Sequence, residues 1–182
     1  MNKYDTIFLD RDGTLNFDPG YINSLEQYDF FDFTLRALKQ LGDAGNRFCI
    51  ITNQSGIARG IVDTDALSEI HQYILNQFYK NGLDLLGIYY CPDHPDDATE
   101  NRKPGTGMFQ QAAHDHGIDL VKSIMIGDAV SDIEAGINSC METMLVLTGK
   151  GKASQAKFGD RSPTFIVENL LKGAQKILGD TS

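Results

Sequence analysis

Ile7-Phe8-Leu9-Asp10-Arg11-Asp12-Gly13-Thr14 decides how the rest of the chain is read. A short apolar run ends in an acid, one position intervenes, a second acid follows, and Gly13 supplies a turn. Residues i and i+2 of an extended segment point to the same side. The carboxylates of Asp10 and Asp12 are therefore expected to share one small space, where like charges perturb each other's proton affinity. A chain tolerates such a pair most readily when a metal cation, a reaction, or both use it. The alternative is an acidic turn after a strand, since Asp and Gly are favoured there; the rest of the chain argues against it.

Outward from this run, apolar β-rich segments alternate with amphipathic ones. Strands are expected at Thr6–Leu9, Phe48–Thr52, Gly87–Tyr90, Ser123–Ile126, Thr143–Val146 and Thr164–Val167. Helices are expected at Thr34–Ala44, Asp63–Lys80, Gly107–Asp115, Asp132–Asn138 and Asn169–Leu178. Gly45, Gly82 and Gly117 stand where helices should stop, because glycine accepts the left-handed conformation. This order predicts an α/β fold, a mostly parallel sheet with helices on both faces. Ligands bind at the carboxyl ends of strands in such sheets, and Asp10, Thr52-Asn53 and Gly127-Asp128 all fall at expected strand ends. The connection from Gly13 to Phe33 is too short for a separate domain and reads as a flap over the site.

The 182 residues fit one domain spanning 1–182. A net charge of −9 with no Lys/Arg run argues against a nucleic-acid surface. A phosphorylated substrate would need local cations to offset its charge. There is no apolar signal segment and no stretch approaching a membrane span. Three cysteines lack disulfide-like spacing, so a reducing cytoplasm is the expected compartment. Cys49 is expected in the core, and Cys140, after a helix, as packing.

Four clusters now stand in order: Asp10-Arg11-Asp12-Gly13-Thr14, Thr52-Asn53-Gln54-Ser55-Gly56, Arg102-Lys103-Pro104, and Gly127-Asp128 with Asp132. Together they resemble the four motifs of the haloacid dehalogenase (HAD) superfamily. Gly20-Tyr21, the run from Thr52 to Gly60 and Tyr89-Tyr90-Cys91-Pro92 narrow the resemblance to its capless branch. That branch holds the D-glycero-D-manno-heptose 1,7-bisphosphate 7-phosphatases and the histidinol-phosphate phosphatases. The resemblance covers about Thr6 to Gly151 and implies a Rossmann-like HAD fold without a separate cap domain.

It also implies roles. Asp10 would be the nucleophile, forming an aspartyl-phosphate that divides one hard displacement into two easier ones. Asp12 would be the general acid to the leaving alkoxide and then the base that activates water. Mg²⁺ is the implied cofactor, held by the Asp10 side chain, the Asp12 main-chain carbonyl and the Asp128 side chain, since oxygen ligands suit that ion. Thr52 and Lys103 would hold the transferring phosphoryl oxygens, and Asp132 would support Lys103 by a hydrogen bond. Asp18, Pro19, Gly20, Tyr21, Asn53, Gln54, Ser55 and Arg102 would contact the substrate. The planar fork of Arg102 suits a second phosphate or another polar end. Expected partners are a small phosphorylated sugar, no nucleic acid and no membrane, with the chain a monomer. Histidinol phosphate is the alternative substrate, and non-catalytic sugar-phosphate binding the alternative class.

Three departures from the branch matter. Its structural zinc loop has Cys-x-His before a later Cys-x-Cys. Here Asp93 stands at the histidine position, His94 is one place late and the second pair is missing, so zinc is not expected. Ala129 replaces a lysine that tends to follow Gly-Asp in the heptose phosphatases. Thr106 replaces a proline and is expected to cap the helix beginning near Gly107. His71, His114 and His116 read as structural or solvated. Gly149-Lys150-Gly151-Lys152 lacks the spacing of a nucleotide phosphate loop and is given no role.

Overall fold

A computed structural model describes residues 4–179 of the chain; the ends of the expected 1–182 domain lie outside the described residues. Six parallel strands form one sheet in the order β3-β2-β1-β4-β5-β6: β1 Thr6–Leu9, β2 Arg47–Asn53, β3 Leu85–Cys91, β4 Ile124–Gly127, β5 Glu142–Val146 and β6 Phe165–Val167. The connecting helices are α1 Thr34–Asp43, α2 Thr64–Lys80, α3 Gly107–His116, α4 Val130–Asn138, α5 Gly151–Gln155 and α6 Leu170–Leu178. Every expected strand and helix is present, with ends displaced by at most two residues. The five-residue α5 is additional; it is too short for an apolar helical period to show.

Alternation along β1 divides the core. Ile7 and Leu9 pack with Leu38, Leu41, Ile70, Ile74 and Leu170, beneath α1, α2 and α6. Phe8 points the other way, toward Met108, Phe109 and Ala135 of α3 and α4, and its ring meets Phe109 edge-on at 5.2 Å. A strand buried on both faces must be largely apolar, and β1 is apolar from Ile7 to Leu9, with the buried Thr6 at its start. Gly45, Gly82 and Gly117 adopt φ of +84°, +64° and +61° after α1, α2 and α3, as expected of helix stops.

Two expectations fail here. Thr106 precedes α3, but its hydroxyl caps no helix N–H; it accepts instead from Gln110 Nε2 at 3.0 Å, because its backbone is already helical. Cys140 is exposed, not packed, and sits at φ +59° in the turn that ends α4. Among the described residues no helix is long and apolar enough to cross a membrane.

The chain order produces the site. From β1 the path moves outward through β2 to β3, then returns to β4 on the other side of β1. Connections on the two sides of β1 diverge, leaving a crevice above its carboxyl end. Asp10, Asn53, Asp128 and the loop after β5 all open onto it.

Candidate active site

A cleft of about 340 Å³ lies over these strand ends, lined by Asp10, Asp12, Thr52, Asn53, Gln54, Ser55, Arg102, Lys103, Asp128 and Asp132, among others. The flap adds Asp18, Gly20, Tyr21 and Ile22, while Pro19 does not reach the lining. The flap root is stitched down by Phe31 N–H to Leu15 O at 3.1 Å and by the Thr34 hydroxyl to the same carbonyl at 2.7 Å.

Lys103 is the charge centre. Its buried ammonium reaches Asp10 Oδ1, Asp132 Oδ1 and the Ile51 carbonyl, each at 2.7 Å. All three ammonium hydrogens thus have acceptors. Burial works against the charge, but Asp10 and Asp132 outweigh it and hold the lysine above its ordinary pKa. The loop carrying Lys103 is fixed by Asn53, whose amide accepts the Lys103 N–H at 3.0 Å and donates to its carbonyl at 3.1 Å. Asn53 therefore reaches the cleft as a support for Lys103, in addition to any substrate contact.

Asp12 occupies a different environment. Arg11, wholly buried, clasps both its oxygens, Nε to Oδ1 at 2.9 Å and Nη2 to Oδ2 at 2.8 Å. Asn16 Nδ2 adds 3.0 Å and Gln54 Nε2 adds 2.8 Å, and the same Gln54 nitrogen reaches Thr52 Oγ1 at 2.9 Å. Burial penalises the Asp12 charge, yet Arg11 and these donors together hold its carboxyl below the ordinary value. The expected repulsion between Asp10 and Asp12 is corrected accordingly. Burial raises Asp10 first, and then its like-charge neighbours, which are Asp132 and Asp128. Asp12 is matched by Arg11. His71 stacks its Nε2 at 3.3 Å from Arg11 Nη1 and, buried beside that cation, is pushed down to about 4, so it stays neutral there.

Asp128 is cradled by two glycines. A Cβ on Gly13 (φ +85°) or on Gly149 (φ +51°) would lie 2.2 Å from Asp128 Oδ2. The Lys150 N–H donates to that oxygen at 2.7 Å, and the Thr148 hydroxyl donates to Gly13 O at 2.6 Å. Asp128 thus anchors the loop after β5 and does not cap α4. That capping falls to Asp132, whose Oδ2 accepts the Ala129 N–H at 2.9 Å.

Asp10, Asp128 and Asp132 offer oxygens within 4.8 Å of one another. Both Asp132 oxygens are already engaged, by Lys103 and by Ala129. Asp128 is raised to about 7, chiefly by burial and then by the Asp132 charge. Three buried carboxylates share a single buried ammonium, so the pocket carries more negative charge than its own side chains neutralise. An all-oxygen donor set with excess negative charge fits a hard divalent cation.

The segment from Cys91 to Arg102 is organised by the residue that replaces the expected histidine. Asp93 accepts from the Thr99 N–H at 2.9 Å and from its hydroxyl at 2.6 Å, and Arg102 Nη1 donates to the Asp93 carbonyl at 3.0 Å. Reading the sequence missed Arg11, Gly149 and Lys150. A buried arginine has no local signature, and the other two come to Asp128 from more than twenty residues away.

The HAD-hydrolase-like family matches residues 100–173. The D-glycero-beta-D-manno-heptose-1,7-bisphosphate 7-phosphatase of Haemophilus influenzae is 42% identical over 157 residues, 82% of this chain and 84% of that protein. The Escherichia coli K12 protein of the same name is 36% identical over 159 residues, 83% of each. The D,D-heptose 1,7-bisphosphate phosphatase of B. bronchiseptica, solved with magnesium and phosphate, gives a TM-score of 0.89 at 32% identity, covering 97% of this chain and 99% of that one.

Proposed function

The chain belongs to the heptose-1,7-bisphosphate 7-phosphatase family of HAD-like hydrolases, and on that premise we propose how its residues remove the 7-phosphate of D-glycero-β-D-manno-heptose 1,7-bisphosphate. The supporting observation is the buried Asp10 carboxylate, held by Lys103 through one oxygen at the floor of a cleft beside Thr52. In our reading the other Asp10 oxygen attacks phosphorus and the bond to the sugar O7 breaks. Lys103 and the Thr52 hydroxyl hold the transferring oxygens. Asp12 gives its proton to the leaving alkoxide; it then takes one from water, which attacks the aspartyl-phosphate and releases inorganic phosphate.

Asp10, Asp128 and the Asp12 carbonyl would hold Mg²⁺, which when bound neutralises phosphate charge. Gly20, Tyr21, Gln54, Ser55 and Arg102 would orient the sugar, with Arg102 toward its far end. The reading takes the enzyme to be a cytoplasmic monomer.

Replacing Asp10 with Asn preserves an acceptor for Lys103 while removing the nucleophile. The variant is expected to keep its fold by circular dichroism and lose phosphate release; substantial remaining turnover would sink the nucleophile assignment. Measured kcat/KM for both anomers of the bisphosphate and for histidinol phosphate tests the substrate. A preference for histidinol phosphate would overturn it.

A further inference from the structure

The structure assigns Lys150 a specificity role: its ammonium, held by Asp18 across the mouth of the cleft, exchanges that carboxylate for the second oxyanion of the substrate. Under the function proposed above, on which this inference rests, that oxyanion is the anomeric phosphate. Three facts carry it.

Lys150 is fixed at its root and exposed at its tip. Its N–H is bound to Asp128 at 2.7 Å, so its backbone is a fixed part of the site. Its side chain lines the cleft yet is 70% exposed, and its ammonium meets Asp18 Oδ2 at 3.1 Å.

The other cations lining the cleft have prior engagements. Lys103 has three acceptors for its three hydrogens, and Arg102 is turned partly toward the Asp93 carbonyl. Lys150 is the lining cation, among the described residues, whose side-chain partner belongs to the flap.

The partner is exchangeable. Asp18 lies on the flap, and its other oxygen already accepts the Gly20 N–H at 2.9 Å, so the flap turn survives loss of the ion pair. A phosphate dianion offers more charge than the Asp18 carboxylate, whose side chain is 8% exposed against 70% for Lys150. Burial opposes the Lys150 charge, but Asp18, then Asp128 and Asp10, keep its proton affinity above the ordinary value. Gly149-Lys150, unexplained in the sequence, becomes a device that ties Asp128 to the reading of the substrate's far end.

The test compares heptose 1,7-bisphosphate with heptose 7-phosphate, which lacks only the second anion, at saturating Mg²⁺. Lys150→Met is expected to lower the ratio of kcat/KM between the two sugars about tenfold, the loss carried by KM, with Lys150→Arg restoring most of it. Asp18→Asn, which retains the acceptor for Gly20 and frees Lys150, is expected to lower KM for the bisphosphate more than for heptose 7-phosphate. Equal losses on both sugars in Lys150→Met would overturn the assignment. So would an Asp18→Asn variant that reproduces the Lys150→Met loss, since the pair would then be only a flap latch. A wild-type enzyme that turns over neither sugar sinks the proposed function and this inference with it. Turnover of both with an unchanged ratio in Lys150→Met sinks this inference alone.

Discussion

Gly149→Ala should disable the site while leaving the protein folded. At φ +51° the new Cβ would lie 2.2 Å from Asp128 Oδ2 and 2.6 Å from the Gly13 Cα, whereas ordinary contact begins at 3.4 Å. The carboxylate would have to retreat by about 1 Å, a misplacement on the scale that costs about 100-fold in rate. The new methyl cannot move aside instead, because the Gly13 Cα crowds it as well. The left-handed backbone adds about 1 kcal/mol of strain for an alanine, too little to unfold a domain of ordinary stability. The assay is Mg²⁺-dependent phosphate release alongside thermal unfolding. We expect kcat/KM to fall about 100-fold and the Mg²⁺ concentration for half-maximal activity to rise at least tenfold. The melting temperature should drop by only a few degrees. A folded variant with wild-type turnover and wild-type Mg²⁺ dependence would refute the claim that the loop after β5 places Asp128.

Two further outcomes follow from the carboxylates. In EDTA Asp128 should cost the folded protein stability as pH rises from about 4 to 7. Folded Asp128 keeps its proton up to about 7, whereas the unfolded chain releases it near 3.8, so the unfolded state gains as protons leave. His71, pushed down to about 4, acts in the opposite sense over the same window, so the Asp128 contribution is read against Asp128→Asn. The wild type should lose up to about 4 kcal/mol more than the variant between pH 4 and 7, and a wild type that gains on the variant would contradict it. The opposite shift of Asp12 acts below that window. For Asp12, carbon NMR on the Asp10→Asn variant should show the carboxyl ionised in the free protein and its proton affinity raised when Mg²⁺ and inorganic phosphate are added. A carboxyl unmoved by phosphate would leave the leaving alkoxide without its donor.

Much of the fold was legible because β1 is apolar from Ile7 to Leu9 and α1, α2 and α3 carry their stops as glycines. Strand ends drifted by a residue or two where polar edges such as Arg47 and Glu142 still pair in the sheet. The site was legible where chemistry is local, as in Asp10-x-Asp12 and Arg102-Lys103. It was not legible where a role depends on distant approach. Arg11 was passed over because a charged residue between two acids reads as exposed, yet it is wholly buried and clasps Asp12. Thr106 failed as a cap because capping needs an extended backbone at that residue, and the residue type does not report its φ and ψ. Lys150 and Gly149 lie 22 and 21 residues beyond Asp128, and only the return of β5 alongside β4 brings them back to it.

The two aspartates of the opening run end in opposite electrostatic states, and the opposition bears on the mechanism. Environments that push paired carboxyls apart usually mark the acid by the higher proton affinity. Here the order is inverted, with Asp10 raised and Asp12 lowered. For Asp10 the rise reflects burial first and unneutralised neighbours second, and a bound cation would offset both, leaving the carboxylate ionised for attack. For Asp12, on the proposed mechanism, the Arg11 fork favours the base that the second half-reaction would need. The proton needed in the first half must then be taken up from solvent as the substrate binds. A phosphate dianion entering beside Gln54 and Thr52 places negative charge near Asp12 and raises its proton affinity. Departure of the alcohol removes the proton and returns Asp12 to the fork as a base. Arg11 and the substrate thus pull the same carboxyl in opposite directions, and one residue can serve as acid and then as base without moving to a new partner.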